Sequence, residues 1–328
     1  MSLLLQPFDY AYMVNAMWVA SLIGGVCAFL SCFLMLKGWS LMGDALSHSI
    51  VPGVAGAYML GLPFSAGAFF AGLLAAGSIM FLNRQTRLKP DVTIGLIFSA
   101  FFGLGLFMIS LSPSSVKLQT IVQGNILAVT PEDTLQLLLI SAVTLIVLST
   151  RWKDLLAVFF DENHARSIGL RPAWLKLIFF AILSACAVAA MQTVGAFLVI
   201  ALIVIPGATA YLLSDRFSRI ILIAVGIGMV TSFLGVYLSY FLNGVTGAII
   251  VLLQAALFAG AFILAPTHGL LAARRRARQA LAARNSTITA RKKPAQKDAM
   301  ATEAMAASQR RAMAAEPVPL TTARRQGQ

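Results

Sequence analysis

The chain has 328 residues, of which 59% are hydrophobic and only 11% charged, with a mean hydropathy of +0.84. Soluble domains carry about a quarter charged residues, so this composition is that of a membrane protein and not of a soluble enzyme. The net charge of +13 does not indicate a nucleic-acid partner, because residues 269–328 hold thirteen of the 25 Lys and Arg against three of the twelve acids.

The N-terminal stretch MSLLLQPFDY lacks the basic region of a cleaved signal peptide, so the first apolar run is expected to remain as a membrane helix. A membrane crossing takes roughly 20 mostly apolar residues. On that ruler the sequence predicts helices near 13–36, 40–60, 63–82, 92–111, 133–150, 173–192, 195–213, 219–242 and 246–265. The expected fold is all-α and polytopic, with about nine (eight to nine) transmembrane helices. The sixth and seventh come from one apolar stretch, with the turn expected at Thr193-Val194-Gly195. The membrane domain is placed at 1–268, followed over 269–328 by a basic, Ala-rich cytoplasmic tail that is expected to be disordered, having too few large apolar residues for a core.

Positive charge orients the spans. Lys37, Arg84, Arg87, Lys89, Arg151, Lys153, Arg216, Arg219 and Arg274–Arg276 all fall in every second connection, whereas the other side has only Lys117. This predicts an N-terminus outside and a C-terminus in the cytoplasm. The longest external connection, 112–132, is mildly apolar from Val116 to Val129, as a short helix over the entrance or a packed loop would be.

Ionisable side chains within a span are costly and usually functional. The second predicted span contains two, Asp44 and His48, in GWSLMGDALSHSIVPGV. At i and i+4 they share one helix face. A carboxylate beside an imidazole suits Mn(II), Fe(II) or Zn(II). Pro52 has no N–H for the His48 carbonyl, so local unwinding is expected there. Two other readings fit the same residues: Asp44 as a helix cap with His48 its neighbour, or the two together as a proton relay.

The connection DLLAVFFDENHARSIGLRPAW, 154–174, alternates Phe159, Phe160, Ala165, Ile168 and Leu170 with Asp161, Glu162, His164 and Arg166. It is expected to form a short amphipathic helix ended by Gly169, either lying on the membrane surface or docking on a partner. His164 and His268 are read as non-ligands, and Cys27, Cys32 and Cys186 as apolar packing residues. Pro206 frees the Leu202 carbonyl and is expected to kink its span. Gln192 and Thr193 suit either a pore lining or a turn, and Gly244, Thr246 and Gly247 the entry to the last span.

The stretches KGWSLMGDALSHSIVPGVAGAY, FFDENHARSIGL, VIPGATAYLLSDRF and APTHGLLAARRRA resemble the membrane permeases of the manganese, zinc and iron(II) ABC importers, in particular the chelated-iron/manganese permeases of Gram-negative bacteria. The resemblance runs from about residue 5 to 278 and excludes most of the tail. It implies a permease fold of that type in the bacterial inner membrane, with Asp44 and His48 lining the metal path. It further implies that Phe160, Glu162, Ala165 and Gly169 belong to a coupling loop, about 154–172, that docks on an ATP-binding subunit. Implied partners are that cytosolic ATPase, a second permease subunit, identical or merely similar, and an extracytoplasmic metal-binding protein. No permanent cofactor is expected, only a transported divalent metal, with ATP on the partner.

The sequence agrees in lacking a GxxxxGK[ST] phosphate loop of its own. A membrane enzyme is disfavoured by three scattered histidines and no HExxH. The remaining alternative is an ion- or proton-coupled secondary transporter using Asp44 and His48 as its relay.

Overall fold

The computed structural model describes residues 3–39, 41–86, 88–111 and 130–265, together with positions 269, 279 and 305–308. The chain divides into two units, Met1–Leu270 and Leu271–Gln328, and the first holds the membrane helices. Residues 112–129, His268 and nearly all of the basic tail lie outside the described residues, and with them the expected entrance helix.

A 3-10 turn over Leu3–Asp9 leads into α1 (Ala11–Lys37). Nearly every residue of α1 from Met13 to Leu34 is buried, so its apolar character on all sides reflects a central position. Its main partners are α10 (Phe217–Leu242) and α9 (Ala196–Leu213). Close approach depends on missing side chains: a Cβ on Gly24 would stand 2.4 Å from the Gly228 carbonyl oxygen. Small residues of this kind let helices pack backbone to backbone in lipid. α1 ends at Gly38, whose φ of +72° allows the Gly38 and Trp39 N–H groups to bond back to Met35 and Leu34.

The remaining elements are α2 (Met42–Ser49), α3 (Val51–Leu60), α4 (Phe64–Gln85), α5 (Pro90–Leu111), α6 (Pro131–Phe160), α7 (Glu162–Ser167), α8 (Pro172–Val194) and α11 (Thr246–Leu264). Eight of the described helices are long and apolar enough to cross a membrane. The second expected span is not one of them. It is divided into α2 and α3 at Ile50, two residues before Pro52. Ile50 itself keeps helical dihedrals (φ −71°, ψ −26°), so the expected unwinding is confined to a one-residue break.

A further difference has a local cause. α6 continues ten residues past the expected end near 150, because Leu155, Val158 and Phe159 stay buried against the bundle and extend its apolar stripe. Its start is set by a Thr130 cap on the Asp133 N–H, Pro131, and acids in the first turn. Pro206 does not interrupt α9; the Ser31 hydroxyl of α1 accepts from the Gly207 N–H and donates to the Val204 carbonyl. The turn between α8 and α9 falls at Gly195, with φ +87°, as expected.

One aromatic cluster joins the bundle beside α7. Phe33 of α1 is edge-on to Phe159, Phe179 and Phe217, and Trp39, just before α2, stacks on Phe180 of α8 at 5.6 Å. At the other side α10 and α11 are tied by buried polar groups. Gln254 donates to Thr231 at 3.0 Å, and Thr246, at the entry to α11, donates to Ser239 at 3.1 Å.

Candidate functional site

The short helix α2 has two faces. Met42, Ala45, Leu46 and Ser49 are buried, while Asp44 and His48 stand together on the open side. Asp44 Oδ1 lies 3.3 Å from His48 Nε2. Their side chains are 41% and 28% exposed, which leaves lone pairs of both within reach of an entering ion. Gly43 is small because α9 presses against it: a Cβ there would stand 2.7 Å from Cγ2 of Ile203. Ser47 is turned inward, its hydroxyl bonded to the Gly43 carbonyl at 2.9 Å.

The capping role for Asp44 does not hold. The N-cap position is Leu41, with no side-chain bond to the helix, and Asp44 sits within the first turn. There the helix dipole favours its negative charge.

His48 is positioned by α5. Its ring is edge-on to Phe98 and Phe102, at centroid distances of 5.4 and 5.5 Å, and those two rings stack on each other. The sequence reading missed this wall, although the i, i+4 spacing of two aromatics in an apolar span was its visible signal. Among the described residues, no third His, Cys, Asp or Glu joins the pair. One chain thus offers one oxygen-donor and one nitrogen-donor side chain, fewer than a first-row dication normally takes.

The second group of expected residues gathers around α7. Residues 154–160 of the expected loop are helical and belong to α6, so the connection is shorter than the sequence suggested. Asp161 caps α7, accepting from the N–H groups of Asn163 and His164 at 2.8 and 3.2 Å. Ala165 is fully buried, Phe160 is 77% exposed, and His164 points to solvent. Gly169, at φ +84°, ends the turn as expected, and the Leu170 N–H bonds back to Ala165 at 3.0 Å.

Glu162 accepts from Arg166 at 2.8 Å and from Lys176 of α8. Partial burial works against its charge, but these two cations prevail and hold the carboxyl below its ordinary range. Lys176 was also missed; a lone cation inside an apolar run was the available signal.

Cys27 and Cys186 face each other across α1 and α8 with sulfurs 4.0 Å apart, and all three cysteines are free and buried. The Thr193 hydroxyl bonds back to Ala189 and Ala190 and closes the end of α8, while Gln192 is exposed.

Among the described residues, eight long apolar helices and a broken one, with a carboxylate and an imidazole on the open face of the latter, are those of a multi-pass membrane protein. The model of the ABC 3 transport family matches residues 9–265. Chelated iron transport system membrane protein YfeC of Yersinia pestis is 61% identical over 278 residues, covering 85% of this chain and 95% of that protein. Manganese transport system membrane protein MntB of Synechocystis sp. is 45% identical over 269 residues, covering 82% and 88%. Among solved structures, PsaBC from Streptococcus pneumoniae in complex with Fab matches with a TM-score of 0.71 at 36% identity, covering 80% of this chain and 95% of that one. The chain belongs to the ABC 3 transport family.

Proposed function

We propose that this chain is the membrane-spanning permease subunit of an ABC importer that moves Mn(II) and/or Fe(II) into the cytoplasm, with Zn(II) accommodated by the same donors. The observation that carries the reading is the Asp44–His48 pair on the open face of α2, in a chain whose relatives are named for chelated iron and manganese transport. Both groups bind metal in their deprotonated forms, and an entering dication offsets the charge of Asp44.

With only two such donors per chain among the described residues, the passing ion completes its shell with water, backbone carbonyls or a second permease subunit. An extracytoplasmic protein delivers the metal, and a separate cytosolic subunit binds and hydrolyses ATP. That subunit docks on the coupling loop, with Phe160 as its exposed apolar contact and Glu162, Ala165 and Gly169 setting the shape of the turn. The chain lies in the inner membrane with its N-terminus outside and its basic tail in the cytoplasm, following its Lys and Arg distribution. It changes which side the site faces and performs no chemistry of its own.

The test is metal uptake by a depleted strain carrying the wild type, Asp44→Ala or His48→Ala at equal expression. Both variants are expected to lose uptake of Mn(II) and Fe(II). Wild-type uptake by both would remove the pair from the metal path. Uptake by this chain alone in proteoliposomes, with no ATPase, would instead identify a coupled secondary transporter. For the docking loop, Gly169→Asp is expected to abolish co-purification of the ATPase while membrane insertion persists.

A further inference from the structure

The helix expected to meet the ATPase has only six residues, Glu162–Ser167. A helix that short has almost no stability of its own, so its position depends on what holds it. Three of its ties are local or apolar: the Asp161 cap, the turn at Gly169 and the burial of Ala165. The fourth is different in kind. Lys176 of α8 reaches Glu162 across fourteen residues of sequence, with its side chain only 9% exposed.

Lys176 is an unfavourable residue for its place by every local criterion. It is a buried cation in the second turn of α8, where burial and the positive end of the helix dipole both oppose it. An apolar side chain of equal length would fill the same space. What an apolar residue could not supply is a directional bond to Glu162.

One turn further along α8, on the same face, stands Phe180. It stacks on Trp39, which is itself 8% exposed and edge-on to Phe159, the penultimate residue of α6. Trp39 lies three residues before α2, and Asp44 is in that helix's first turn. Successive turns of one buried helix therefore hold α7 and the chain entering α2.

We propose that Lys176 is a positioning residue that ties α7 to α8, and that α8, through Phe180 and Trp39, passes displacement of α7 to the helix bearing Asp44 and His48. This rests on the reading of α7 as the ATPase-docking element. ATP-driven movement at the docking surface then reaches the donor pair through three contacts: Glu162 with Lys176, Phe180 with Trp39, and the Trp39 carbonyl with the N–H of Met42, the first residue of α2.

The test uses the assembled importer in proteoliposomes, with both permease subunits, the ATPase and the binding protein, comparing wild type, Lys176→Met, Glu162→Gln and Trp39→Leu. Metal transported per ATP hydrolysed is the readout, because a purely structural defect lowers both rates together. Lys176→Met is expected to cut that ratio by about tenfold, within the usual range of coupling between sites. Lys176→Arg is expected to restore it. Combining Lys176→Met with Trp39→Leu should add little to either alone, as for residues acting in one route.

An unchanged ratio in Lys176→Met, or full additivity with Trp39→Leu, overturns the proposal. If Lys176→Met does not assemble, Trp39→Leu decides it: an unchanged ratio in that variant overturns the proposal. Cross-linking of Ser167→Cys to the ATPase separates the two readings. If no cross-link forms, the docking assignment fails; if it forms and the ratio is unchanged, the lever fails.

Discussion

Gly53 of α3 and Gly67 of α4 meet backbone to backbone. A Cβ on Gly53 would stand 2.1 Å from the Gly67 carbonyl oxygen, and a Cβ on Gly67 would stand 2.3 Å from that of Gly53. No side chain can rotate away from such a contact, because both clashing atoms are main chain. Gly53→Ala is therefore expected to displace α3 and destabilise the chain by about 1–3 kcal/mol, the usual range for overpacking. Gly77→Ala, with nothing within 4 Å of the added methyl, is the matched control and should lose nothing. Thermal unfolding in detergent, followed by loss of the monodisperse peak, compares the two.

The aromatic wall behind His48 gives a second expectation. An edge-to-face pair contributes about 0.5–1.5 kcal/mol. Phe98→Ala frees the imidazole to leave Asp44, and about two- to tenfold weaker apparent affinity for transported metal follows from that energy. Phe98→Leu, which fills much of the space without the edge contact, should fall between. Concentration dependence of Mn(II) uptake at matched expression reads this; an unchanged half-saturation in Phe98→Ala would show that the wall does not position the ring.

Glu162 makes stability depend on pH in a defined direction. Its carboxyl titrates lower in the folded chain than in the unfolded one, where about 4.3 is usual. The stabilisation is thus fully present above that unfolded value and is lost as pH falls through the lower, folded one. Melting temperature should drop as pH falls below the ordinary carboxylate value of about 4.3 in the wild type, and Glu162→Gln should show a shallower drop. Parallel melting curves for the two would deny Glu162 a share.

Ser31 serves α9 at the point where Pro206 removes a donor. Its hydroxyl bonds both the Gly207 N–H and the Val204 carbonyl, at 3.2 and 3.3 Å. Ser31→Ala is expected to cost about 0.5–1.5 kcal/mol by removing those bonds between α1 and α9. A melting temperature equal to wild type would mean that water or local bending replaces the bonds.

Spans were legible in the sequence because each is a run of local hydropathy, and the Gly195 turn because Gln192, Thr193 and a glycine fall midway along one long apolar stretch. Asp44 and His48 were legible because ionisable groups stand out against that background. The break at Ile50 was only half visible: Pro52 signalled disturbance, but its narrow extent follows from α4 and α5 packing against both pieces and α9 against α2. The end of α6 was hidden by Arg151, Lys153 and Asp154, whose charges looked like a loop while Leu155, Val158 and Phe159 kept the helix buried. Lys176 with Glu162, and Phe98 with His48, are pairings between separate elements, and no periodicity within one segment reports them.

The division at Ile50 also bears on how the chain enters the bilayer as it is made. α3 has ten residues, about half the length a crossing takes, and the eight before them carry Asp44 and His48. Such a segment is a poor substrate for insertion by itself. Only Gly61, Leu62 and Pro63 separate it from α4, which is long and apolar, and the two meet at Gly53 and Gly67. Biogenesis of the segment bearing Asp44 and His48 is therefore expected to wait on the helix that follows, the two entering as a hairpin. A ribosome-arrested chain ending before α4 emerges should leave residues 42–60 extractable by alkali, and one that includes α4 should not.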